Sequence, residues 1–183
     1  MLNLSNWLRK RSKPGQTAAK LYGSIVAQAR LPVFYSSLGV ADTTEGRYEG
    51  LALHLAVVLL ALRRIEGPDG PIGRLLTEAF IVDMDDSMRE LAVGDMSVPR
   101  KVKKAAAGLM ERTLTYKEAL DAADEAALRQ CVSMFFGSDP EARATTALTR
   151  YVRSLHSDLD NATAAAELQT GNVIFPEPVT EPI

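Results

Sequence analysis

The chain has 183 residues, with 46% hydrophobic and 24% charged side chains, enough to bury one sizeable core without metals or disulfides. A net charge of −2 gives no overall pull toward nucleic acid, so DNA is not an expected partner, and a single cysteine, Cys131, excludes an intrachain disulfide and fits a reducing compartment. The charge is uneven: residues 1–13 carry Arg9, Lys10, Arg11 and Lys13 and no acid, so a basic arm precedes an acidic body.

The organisation expected is a basic arm over residues 1–16, a helical domain over 17–170 and a Pro-containing tail over 171–183. In the arm, Leu2, Leu4, Trp7 and Leu8 come before the basic residues, the reverse of a secretory signal, so export is not expected. Apolar residues at Leu21, Ile25 and Val26 predict a first helix over 17–30, stopped by Pro32, which disfavours helix in the residue before it. Residues 31–40 show no sustained period and read as irregular, with at most a short turn.

Asp42 and Glu45 resemble a capping box opening the strongest helical run, about 44–66, which ends before Gly67-Pro68-Asp69-Gly70-Pro71. Leu51 to Leu62 is apolar nearly all round, the mark of a helix surrounded by others, and is too short to cross a bilayer. Ile72, Leu75, Leu76, Ala79 and Phe80 give a third helix one buried face, fading near Val93-Gly94. Ser97 and Pro99 suit the start of a fourth helix, which carries Arg100, Lys101, Lys103 and Lys104.

Thr113 or Thr115 is expected to begin a fifth helix running to Phe136 and closed by Gly137. Asp139-Pro140-Glu141 then opens a sixth, to about Leu168, with a stripe of Leu148, Tyr151, Val152, Leu155 and Leu159. The fold class is all-α: a bundle of about six helices around a buried central helix, with a tail that drapes or dangles.

Chemistry is sparse in this pattern. Asp83-Met84-Asp85-Asp86 has the carboxylates a hard cation takes, but no second acidic motif at a suitable spacing, so a solvated helix face is favoured. At 100° per residue Asp83 falls within about 20° of Ile72, on the apolar face. Arg47 and His54 project from nearly one side of the central helix, and Asp42 or Asp83 is expected to complete a structural polar seam with them. Cys131 sits in an apolar segment away from either histidine and reads as inert. Neither His54 nor His156 has zinc-ligand spacing, and the Gly/Pro loop after the central helix follows no strand and lacks proline amides, so it is a turn rather than a phosphate loop. No catalytic residue and no metal ligand is assigned. Trp7, Arg9, Lys10, Arg11 and Lys13, with Lys101, Lys103 and Lys104, are candidates for peripheral contact with an anionic membrane or the ribosome, against solvated tail and helix face.

Order and spacing add a resemblance. Ala29-Arg30-Leu31-Pro32-Val33-Phe34-Tyr35, the run Gly39 to Glu49, His54, Glu78-Ala79-Phe80, Met84-Asp85, the run Met88 to Asp95, and Val98 to Lys103 together resemble the ubiquinol–cytochrome c chaperone family, over roughly the first two-thirds of the chain and weakening after Leu120. The resemblance implies an all-helical, non-enzymatic assembly chaperone, without a cofactor, that binds newly made cytochrome b during assembly of the cytochrome bc1 complex. Mitochondrial relatives work with a small partner subunit at the ribosome exit and inner membrane. Without their long N-terminal extension, this chain is expected to be a bacterial-type member, cytoplasmic and peripheral at the inner membrane face. Arg30, Phe34, Tyr35, Arg47 and His54 are the candidate client-binding residues, with core packing the competing reading for Phe34. Haem ligation by His54 is disfavoured by its expected burial. The alternative role is a membrane-associated interaction adaptor with no task specific to cytochrome b.

Overall fold

The computed structural model describes residues 12–90 and 97–179. Their order is α1 Lys13–Ala29, α2 Pro32–Ser36, α3 Thr44–Glu66, α4 Pro71–Glu90, α5 Val98–Asp121, α6 Glu125–Phe136, α7 Arg143–Asp158 and α8 Ala162–Thr170, with no strand among the described residues.

The bundle is built on α3, which touches α1, α4, α5, α6, α7 and α8. Thr43 caps it by accepting a hydrogen bond from the Gly46 N–H at 3.1 Å. Glu45 in the first turn and Arg63 and Arg64 in the last complement the helix dipole. Gly67 then leaves the helix at φ 83°, a conformation other residues adopt only with strain. Between Leu51 and Leu62 every residue except Leu59 is buried. Removing that apolar surface from water is the main force ordering the neighbouring helices about α3. The turn into α4 supplies its own cap, because the Glu66 carboxylate accepts from the Ile72 and Gly73 N–H groups at 3.1 and 3.4 Å.

Several boundaries differ from the sequence expectation, each for a local reason. The first helix starts at Lys13, ahead of the expected Thr17, with Pro14 in its first turn. Residues 32–36 form the short helix α2 within the stretch expected to be irregular. Asp42 does not cap α3; Thr43 takes that place. Thr113 and Thr115 lie inside α5, where their hydroxyls donate back to the carbonyls of Leu109 and Glu111 at 2.8 and 3.0 Å, so they start no new helix. The break falls instead at Ala122–Ala123, with Ala123 at φ 52°, and Asp124 caps α6 by accepting from the Ala126 N–H at 2.9 Å.

Gly137 closes α6 in the left-handed conformation. Asp139-Pro140-Glu141 forms a turn ahead of α7 and lies outside that helix. The expected sixth helix is two, because Asn161 intervenes and caps α8 through the Ala164 N–H at 2.9 Å. As described through residue 179, the tail drapes: Val173 and Phe175 pack on the core. The expected fading near Val93-Gly94 lies outside the described residues.

Candidate functional site

The C-terminal end of α1, the first turns of α3, the second half of α4 and the first half of α5 enclose an open groove of about 1090 Å³. Its apolar lining includes Val26 and Ala29 from α1, Leu51 from α3, Met84 and Met88 from α4, and Ala105 from α5. Residues 81–88 of α4 are all only half-buried, so this stretch is packed on one side and open on the other. Methionine side chains are unbranched and polarizable and fit irregular apolar shapes.

Two phenols frame the groove by bonding to backbone: Tyr35 donates to the Ala29 carbonyl at 2.9 Å and Tyr48 to that of Ala105 at 3.0 Å. Tyr48 approaches α5 at Gly108, where a Cβ would stand 2.6 Å from the phenol oxygen. Glycine is therefore needed there for close contact.

One wall is an ion pair. Arg112 Nε and Nη2 donate to Glu49 Oε2 and Oε1 at 2.6 and 2.5 Å, with the two side chains 15% and 14% exposed. The same guanidinium donates to the Gly108 carbonyl at 3.0 Å and lies 5.3 Å from the Tyr48 ring centre and 4.7 Å from that of Phe135. Hydrogen bonding to Glu49, and the charge of that carboxylate, push the Arg112 pKa further up against the opposing effect of burial. These contacts join α3, α5 and α6. Sequence reading did not single out Glu49 or Arg112, although Glu49 closes the run Gly39 to Glu49; pairing across 63 positions leaves no local signal.

Arg30, Tyr35 and Arg47 line the groove together, as do Asp83, Lys101 and Lys104. Phe34 and His54 do not: at 2% and 1% exposure they are core, which corrects their expected place on a client-binding surface. Phe34 meets the His54 and Tyr151 rings edge-on at 5.1 and 5.0 Å. The His54 ring nitrogens bond to the Gly50 carbonyl at 2.6 Å and the Tyr151 hydroxyl at 2.8 Å, while Gln28 donates to that hydroxyl at 3.1 Å. Burial lowers the His54 pKa to about 4, so the ring is neutral at pH 7, with Nδ1–H donating to Gly50 and Nε2 accepting from Tyr151.

The expected polar seam is also corrected. Asp42 does meet Arg47, at 2.8 Å, but both are well exposed, and His54 takes no part. Equal azimuth did not bring equal burial, because Arg47 lies in the first turns of α3 where the groove opens and His54 lies where other helices close around it. Asp83 turns instead to Tyr22, whose hydroxyl donates to Oδ2 at 2.7 Å; burial and the adjacent carboxylate hold that phenol far above its ordinary pKa.

Asp85 pairs with Arg89. Cys131 is buried, its thiol pushed up to about 12. Lys13 stands at the start of α1 and Lys103 is exposed on α5, whereas Trp7, Arg9, Lys10 and Arg11 lie outside the described residues. No helix among the described residues is long and apolar enough to cross a membrane. The groove lining contains neither His nor Cys.

Residues 36–175 match the family described as Ubiquinol-cytochrome C chaperone, so the likeness continues well past Leu120, where sequence reading saw it weaken. Among solved structures, the crystal structure of the Cbp3 homolog from Brucella abortus is similar at 30% identity and a TM-score of 0.77, over 96% of this chain and 97% of that one. No curated protein matches the chain. With its all-α fold and a family match that takes in the core helix α3 and the groove walls on α3, α4 and α5, the chain belongs to the ubiquinol–cytochrome C chaperone family.

Proposed function

We propose that this protein binds an apolar segment of newly synthesised cytochrome b in the α1/α3/α4/α5 groove, without catalysing a reaction, and holds it for assembly of ubiquinol–cytochrome c reductase. The observation that carries the reading is the groove itself. Its volume of about 1090 Å³ is at the top of the range for small-ligand pockets, and its methionine-bearing floor is bordered by charge. An apolar floor gives affinity for an unassembled apolar segment, and a charged rim limits which segments enter. Arg30, Tyr35 and Arg47 are the proposed rim contacts. The basic residues Arg9, Lys10, Arg11 and Lys13, with the exposed Lys103 on α5, are proposed to bring the protein to the inner membrane face or the ribosome.

The test is in-cell photocrosslinking from position 88 on the groove floor and from position 150 on α7, followed by mass spectrometry. Cytochrome b captured from 88 and not from 150 supports the reading. Reproducible capture of other proteins, in cells that contain cytochrome b, favours an adaptor without that client.

A further inference from the structure

The charges around the groove are unequally satisfied. Of the acids, Glu49 is held by Arg112 on both oxygens, Glu111 approaches the same guanidinium at 3.6 Å, and Asp83 accepts from Tyr22. Glu45 has no cation partner among the described residues but lies in the first turn of α3, where the helix dipole favours a carboxylate. Glu90, at the last residue of α4, is the remaining acid of the lining and has no cation partner among the described residues.

The cations differ. Arg47 has Asp42, but Arg30, Lys101 and Lys104 have no carboxylate partner among the described residues. Lys101 and Lys104 also stand in the first two turns of α5, whose first turn has no acid, with the exposed Arg100 and Lys103 beside them. A cation in the first turn of a helix opposes the helix dipole, so Lys101 does not stabilise α5.

From this asymmetry we infer that the occupant of the groove is an apolar helical segment flanked by carboxylates, its apolar side on Met84 and Met88 and its acidic flank against Arg30, Lys101 and Lys104. The inference rests on the groove being the client site and adds the chemistry of the client. Long-range attraction between such a flank and the basic rim would speed encounter and reject segments with basic flanks.

Fluorescence anisotropy with labelled helical Leu–Ala peptides, identical except for Glu, Gln or Lys flanks, tests it on the full chain. The Glu-flanked peptide should bind about tenfold more tightly than the Lys-flanked one at low ionic strength. That preference should shrink several-fold on going to about 0.5 M salt, where charges are screened within a few ångströms. It should also shrink in Lys101→Gln/Lys104→Gln and vanish when Arg30→Gln is added, while Met84→Asn/Met88→Asn, checked for folding by circular dichroism, weakens all three peptides. Equal binding of the three peptides, still dependent on Met84 and Met88, would overturn the acidic-flank inference and leave the groove as client site. Binding of no peptide removes the groove reading and the inference with it. Binding of phosphatidylglycerol vesicles through Lys101 and Lys104, with no flank preference among the peptides, assigns those cations to a lipid surface and also overturns the inference.

Discussion

Replacing Arg112 with alanine probes the wall of the groove most directly. The substitution removes two short hydrogen bonds to Glu49, one to the Gly108 carbonyl, and the guanidinium lying near the Tyr48 and Phe135 rings. It leaves the Glu49 carboxylate, 14% exposed, without its partner. Breaking a fully buried pair from one side costs about 3–5 kcal/mol, and residual exposure of this pair lowers the expectation to about 3 kcal/mol, stacking included. For a domain of this size that corresponds to a fall in Tm of roughly 6–12 °C. Urea unfolding followed by circular dichroism measures the loss, and Glu49→Gln with Glu49→Gln/Arg112→Ala completes a double-mutant cycle. The double variant should be less destabilised than the sum of the single changes, because no lone charge is left in the wall. A loss below about 1 kcal/mol for Arg112→Ala would mean that solvent screens the pair and that it does not brace the groove.

The folded-state pKa of His54 is depressed from 6.5 to about 4, so between those values the unfolded chain binds the extra proton and stability falls as pH falls. At about 1.4 kcal/mol per unit the full effect is roughly 3 kcal/mol, reached near pH 4; His156 is depressed in the same direction, so the check is that His54→Gln loses less stability than the parent chain between pH 6.5 and 4. Among the glycines, a Cβ at Gly46 would fall on the Ala41 carbonyl oxygen, whereas one at Gly23 meets nothing within 4 Å in the middle of α1. Thermal unfolding should therefore show Gly23→Ala raising stability by about 0.5–1 kcal/mol and Gly46→Ala lowering it by more than about 2 kcal/mol.

Local chemistry made much of the fold legible. The span of α3 follows from an apolar run bounded by a Thr cap and a Gly/Pro turn, and the buried face of α4 from its 3.6-residue period. Both signals lie within a few neighbouring residues. Where hydroxyl and acidic side chains admit several roles, sequence reading misplaced the ends: Thr113 bonds back within its own helix instead of starting one, and Asp42 pairs with Arg47 beside a cap supplied by Thr43.

The site was only partly legible. Arg30, Tyr35 and Arg47 were brought forward by resemblance and do share the groove, while Phe34 and His54 went to the core. Adjacent residues such as Phe34 and Tyr35 point apart on a helix, so proximity in sequence does not decide which one faces an opening. By itself the sequence determined the helical class, the buried central helix and the family likeness, because periodicity, caps and motif order are written within short stretches of chain. Only the tertiary structure decided that Glu49 meets Arg112 and Tyr22 meets Asp83, and that Lys101 and Lys104 stand at the mouth of the same groove as Arg30. Those relations depend on how separate helices pack, which no local pattern encodes.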